Sequence, residues 1–73
     1  MKISEIKIDK EEIASELKKL RGNIPRKDLA KILGVGPSAI RNYENGLRIP
    51  DENVKLRYSL FFNVKVDDIF FKY

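Results

Sequence analysis

The stretch Arg26–Gly46, RKDLAKILGVGPSAIRNYENG, decides the reading of this chain. Leu29, Ala30 and Leu33 recur at helical spacing, and Gly34 follows them where a helix-ending glycine belongs. Val35 is an apolar plug in the turn. Gly36 then serves as a tolerated N-cap, and Pro37 takes the first helical position, where its missing N–H costs nothing. The new helix turns Ile40 and Tyr43 to one side and Ser38, Arg41 and Asn42 to the other. The unit is therefore two short helices packed across a tight turn, with a polar face on the second.

The same signals extend outward. Asp9 and Glu12 form a capping-box-like start, with Asp in place of the usual Ser or Thr. Ile13, Leu17 and Leu20 share a helical face, and Gly22-Asn23 ends it, which predicts a helix over about residues 10–21. The spacing predicts further helices over 26–33 and 37–45, then a loop at 46–50. Asp51 begins a fourth helix running to Phe62, with Val54, Tyr58, Phe61 and Phe62 on its main stripe and Leu56 and Leu60 beside it. Asn63 ends it, and a last short helix covers 66–71 with Ile69 and Phe70 packing inward. Residues 1–8 alternate Ile6 and Ile8 around Lys7, as in a short strand or an extended arm. A lone strand needs a partner for its backbone, and disorder is the alternative for so short a terminus.

The central segment resembles the helix-turn-helix of the phage-repressor superfamily, the Cro/cI or XRE family. The matching residues are Leu29-Ala30, Leu33-Gly34-Val35, Ile40, the run Tyr43-Glu44-Asn45-Gly46, and Pro50. The resemblance spans about residues 17–70, and the joint pattern is more specific than any one piece. It implies an all-α, compact, five-helix, lambda-repressor-like DNA-binding domain over residues 9–73, preceded by the short extended arm at 1–8. In such a fold the second helix of the motif enters the major groove.

Charge placement agrees with a polyanionic partner. The net charge is +4. Between Lys18 and Arg48, eight basic residues face two acidic ones, whereas the rest of the chain holds seven bases and nine acids. The basic field is thus concentrated on the motif and the flanks are slightly acidic. A solvated basic surface is the bland alternative, and the coincidence with the motif weighs against it.

Composition excludes several classes. There is no Cys and no His. That removes disulfides, thiol chemistry, Ser-His and Cys-His catalysis, and makes a zinc site a poor fit. No cofactor is expected. No apolar run reaches the length of a membrane span, and the polar start MKISEIKIDK lacks a signal-peptide core, so the expectation is a soluble, cytoplasmic protein. Seventy-three residues make one small domain, for which oligomerisation is a common source of added stability.

The resemblance assigns roles residue by residue. Pro37, Ser38, Arg41 and Asn42 match the family's base-reading positions. Arg41 can donate two parallel bonds to guanine, Asn42 can pair both ways with adenine, Ser38 discriminates weakly, and Pro37 offers only apolar contact. Arg26 stands where the family often has a glutamine on the DNA backbone, and arginine there can hold a phosphate. Lys27, Asn45 and Arg48 are further phosphate candidates. Arg21 and Glu44 match a structural ion pair between the first and third helices. Two departures stand out: Pro25 replaces the usual Ser or Thr cap before the second helix, and Gly36 replaces the one before the third.

The leading expectation is a sequence-specific regulator of transcription on double-stranded DNA, a repressor acting as a homodimer. Leu56, Leu60, Phe71 and Tyr73 supply apolar surface beyond what so small a core covers, and are the expected dimer interface. A second reading is an antitoxin or other protein-interaction module, binding a toxin or another partner through the same aromatic end. A third, an enzyme, finds no motif: Gly34-Val35-Gly36 is a glycine pair without the preceding strand of a dinucleotide site.

Overall fold

A computed structural model describes residues 8–70. The chain forms α1 (Lys10–Arg21), α2 (Arg26–Leu33), α3 (Pro37–Glu44), α4 (Glu52–Phe62) and α5 (Val66–Phe70), with no strand among the described residues. The all-α, five-helix expectation holds. The extended arm at 1–8 lies outside the described residues save for Ile8, which is exposed and in no regular element.

Helix ends follow from local chemistry. The Asp9 carboxylate accepts the N–H groups of Glu11 and Glu12 at 3.0 and 3.2 Å. This is half of the expected capping box, since Glu12 returns no side-chain bond to Asp9. Asp51 is the N-cap of α4 and accepts from the Val54 N–H at 3.0 Å, so the helix starts one residue later than its sequence suggests. At the other end of α3, Asn45 is the C-cap rather than the last helical residue. Asn63 ends α4 in the left-handed region, at φ 54° and ψ 51°, which asparagine tolerates better than most residues.

Gly34 is required twice over. Its φ of 69° lies in the left-handed region, and an added Cβ would sit 2.9 Å from Nη1 of Arg57. That close approach exists because Arg57 Nη1 donates to the Leu33 carbonyl at 2.8 Å. A cation on the last carbonyls of α2 suits the negative end of the helix dipole, and it ties α4 to the motif.

The core joins all five helices. Ile13 and Leu17 of α1 meet Leu29, Ala30 and Leu33 of α2, Ile40 and Tyr43 of α3, Val54 and Tyr58 of α4, and Ile69 and Phe70 of α5. Complete burial of a large apolar side chain contributes about 1.5–3 kcal/mol, so these contacts dominate the stability of a domain this small. Val35, the turn plug, and Leu20 pack against the edge of the core.

One core expectation fails. Phe61 is 45% exposed, whereas Phe62 packs at the edge of the core. The buried face of α4 follows the four-residue ridge Val54–Tyr58–Phe62, which drifts around the helix and leaves Phe61 to the side. Phe61 then meets Phe62 edge to face, with ring centroids 4.9 Å apart.

Tyr58 is fully buried, yet its hydroxyl has no hydrogen-bond partner among the described residues. An unsatisfied buried polar group costs roughly 1–3 kcal/mol. Tyr58→Phe is therefore expected to raise stability by about 1 kcal/mol, read as a higher urea midpoint at unchanged m-value. Burial pushes the phenol above its ordinary range; Glu44 and Tyr43 add to the shift and Arg21 opposes it. The unfolded phenol thus loses its proton first. This group leaves stability independent of pH below about pH 10 and lowers it as pH rises beyond that. Tyr58→Phe should remove this part of the alkaline decline, and an unchanged decline would contradict the assignment.

Candidate nucleic-acid interface

The geometry of α3 is set by what it buries. Ile40 and Tyr43 enter the core, and Glu44 is buried as well. The opposite face is then left outside: Pro37, Ser38 and Arg41 are exposed, and Asn42 is half-buried. All four base-reading candidates lie on this one face of the helix, toward its amino-terminal half and middle. Neither Gly36 nor any other residue gives α3 a side-chain cap.

Glu44 fixes the back of α3. Its side chain is fully buried and takes two guanidinium groups. Arg21 Nε donates to Oε2 at 2.7 Å, and Arg26 Nε donates to Oε1 at 3.2 Å. Arg21 also donates from Nη1 to the Ile24 carbonyl at 3.0 Å, which binds the α1–α2 turn to the same cluster. The Arg21–Glu44 pair is the one the resemblance implies. Removing one side of such a buried pair costs roughly 3–5 kcal/mol, because the remaining charge is left unpaired.

Arg26 is the residue the sequence leaves incompletely read. Its spacing from Glu44 gives no hint of contact, and its place at the start of α2 suggests only an anion partner. In the fold it joins Glu44 while its side chain stays 37% exposed. Beside it, the N–H groups of Arg26 and Lys27 have no partner among the described residues, as at any helix start. Pro25 contributes its carbonyl to Asp28 and Leu29 but no donor. Lys27 is exposed.

The loop after α3 folds back on it. The Asn42 carbonyl accepts the N–H groups of Leu47 and Arg48 at 2.9 and 3.3 Å. Asn45 and Arg48 are therefore exposed next to the carboxyl end of α3. Burial raises the Tyr43 phenol above its ordinary value; the Arg48 charge offsets part of that and Asp51 adds to it. Among the dimer candidates, Leu56 and Leu60 are 54% and 74% exposed. Phe71 and Tyr73 lie outside the described residues. No cluster of metal-ligating side chains occurs among the described residues, and no helix there is long and apolar enough to cross a membrane.

The helix-turn-helix family profile known as HTH_3 matches residues 16–69, most of the chain. The protein belongs to the XRE-type helix-turn-helix family. It is a DNA-binding transcriptional regulator. Three solved structures have the same fold. The SOS-response transcriptional repressor LexA from Eubacterium rectale matches with a TM-score of 0.79 at 20% identity, over 85% of this chain and 68% of that one. The P22 c2 repressor in complex with synthetic operator 9T matches with a TM-score of 0.75 at 22% identity, over 80% and 91%. The restriction-modification controller protein C.AhdI from Aeromonas hydrophila matches with a TM-score of 0.74 at 20% identity, over 85% and 97%. At these identities the likeness is one of fold. No curated protein sequence matches the chain significantly.

Proposed function

We propose that this helix-turn-helix protein is a dimeric, sequence-specific repressor that reads the major groove of double-stranded DNA with α3. The observation that carries the reading is the division of α3 into a buried face, locked by Glu44, and a polar face formed by Pro37, Ser38, Arg41 and Asn42. A helix must be held rigidly for bidentate base contacts to discriminate, and two ion pairs plus the Ile40 and Tyr43 contacts do that here. Arg26, Lys27, Asn45 and Arg48 flank α3 and take phosphates on either side. The reading draws support from the P22 c2 repressor, which shares the fold and is bound to an operator.

The dimer forms through α4 and the end of the chain. Leu56, Leu60 and Phe61 are exposed on α4, and Leu56 also lines a groove of about 330 Å³ with Glu52, Lys55 and Val66. The sequence adds Phe71 and Tyr73. Exposed apolar patches of this kind mark partner sites, and the occupant proposed is a second copy. A two-fold contact there leaves both α3 faces free for successive major grooves, about 34 Å apart.

Salt dependence tests the electrostatic part. If about six phosphates are neutralised per bound unit, log affinity falls with log salt at a slope near −5. Fluorescence anisotropy on a labelled duplex across a salt series gives the slope directly. A slope near zero would remove DNA backbone contact from the account and favour a protein partner.

A further inference from the structure

We propose that Glu44 is a positioning residue for DNA binding, holding the Arg26 guanidinium by its Nε so that the terminal nitrogens meet one backbone phosphate in a fixed, bidentate geometry. The inference rests on the DNA-binding reading above and adds to it a second role for a carboxylate whose first is to pair with Arg21.

Two guanidinium groups share this single buried carboxylate. Arg21 alone satisfies the charge of Glu44, at 2.7 Å and with its side chain 17% exposed. Arg26 therefore leaves the cluster with one excess positive charge. That excess sits on the more exposed of the two arginines, at the start of α2. A partly desolvated cation without a full counter-charge favours an anion that completes the cluster.

The donor geometry fits a phosphate. A guanidinium carries five N–H donors in a rigid fork. Arg26 uses one, on Nε, and its other donors have no partner among the described residues. The two terminal nitrogens present a parallel pair of N–H groups, matched to two phosphate oxygens. The free N–H groups of Arg26 and Lys27 lie on the same helix end, where the dipole is positive. A free arginine loses much rotamer entropy when it binds. One already held by Glu44 has lost that freedom in folding, so each contact it makes is stronger.

Positioning and plain charge predict opposite signs for Glu44→Gln. Coulomb attraction alone says that deleting a carboxylate near DNA tightens binding. Positioning says that it weakens binding, through Arg26. The experiment is anisotropy on a mixed-sequence duplex of roughly 20 base pairs, since phosphate contacts do not depend on sequence. Circular dichroism checks whether each variant is folded at the assay temperature.

Arg26→Ala is expected to lose about tenfold in affinity and to flatten the salt slope by about one. Glu44→Gln should lose about tenfold with the slope nearly kept, because Arg26 is still charged but no longer held. In the Arg26→Ala background, Glu44→Gln should change affinity less than about twofold, since its intermediary is gone. Tighter binding by Glu44→Gln, or an equal loss in both backgrounds, overturns the proposal. If Glu44→Gln does not fold, Arg26→Lys decides instead, because it keeps the charge and leaves Arg21–Glu44 intact. A loss of about fivefold at unchanged slope is expected, since lysine is a point charge without a fork. Binding equal to that of the unsubstituted protein overturns the proposal. Absence of salt-dependent binding by the unsubstituted protein removes the DNA reading itself; such binding with no coupling between positions 26 and 44 removes this proposal alone.

Discussion

Leu56→Glu combined with Leu60→Glu is expected to yield a folded monomer whose operator affinity is lower by about 100-fold or more. Both side chains are more than half exposed, so their replacement leaves the core of Tyr58, Ile69 and Phe70 untouched. The fold should therefore survive, with an unchanged circular dichroism spectrum. The association should not, because two carboxylates per subunit would meet their symmetry mates in an apolar contact. Linking two recognition helices makes the second binding event intramolecular, and avidity of 10²–10⁴ is the usual gain that a monomer forgoes. Sedimentation separates the outcomes. A double variant that stays dimeric and folded rules this interface out. Loss of the dimer on deleting residues 1–8 would instead favour pairing of amino-terminal strands across the axis.

The second large effect concerns specificity. Arg41→Ala and Asn42→Ala are each expected to cost about 1–3 kcal/mol of discrimination at one base pair while leaving the fold intact. Arg41 is exposed and has no partner within the protein among the described residues. The Asn42 side chain is likewise without one, since its loop contacts use only its carbonyl. Neither truncation opens a cavity or strands a buried charge, so stability should move by less than about 0.5 kcal/mol. The loss should fall on preferred sequences and spare random ones. Equal loss on every sequence would reassign both residues to backbone positioning.

Much of the fold is legible in the sequence, because its helix ends are written in local chemistry. Asp9, Gly22, Gly34, Pro37, Asp51 and Asn63 each act within a few residues of themselves. The outward face of α3 was legible for the same reason, since Ile40 and Tyr43 fix its rotation. What stayed hidden depends on distance across the fold. Nothing local joins Arg57 to the Leu33 carbonyl, and the orphaned Tyr58 hydroxyl is visible only once its surroundings are known. Helical period assigned Phe61 and Phe62 to one stripe. Only the drift of the packed ridge separates the exposed ring from the half-buried one. Arg26 is the instructive case. Its charge and helix position pointed to phosphate, yet its bond to Glu44 comes from the crossing of α2 and α3, which periodicity does not report.

The account stands most directly on selection of bound duplexes from a random pool, run in parallel for the unsubstituted protein and for Arg41→Ala with Asn42→Ala. It predicts that the unsubstituted protein recovers an inverted repeat with half-sites one helical turn apart, about 10–10.5 base pairs between centres. The double variant should recover a degraded repeat with the same spacing. Failure to enrich any sequence, or recovery of an identical repeat by the double variant, would contradict reading of the major groove by α3.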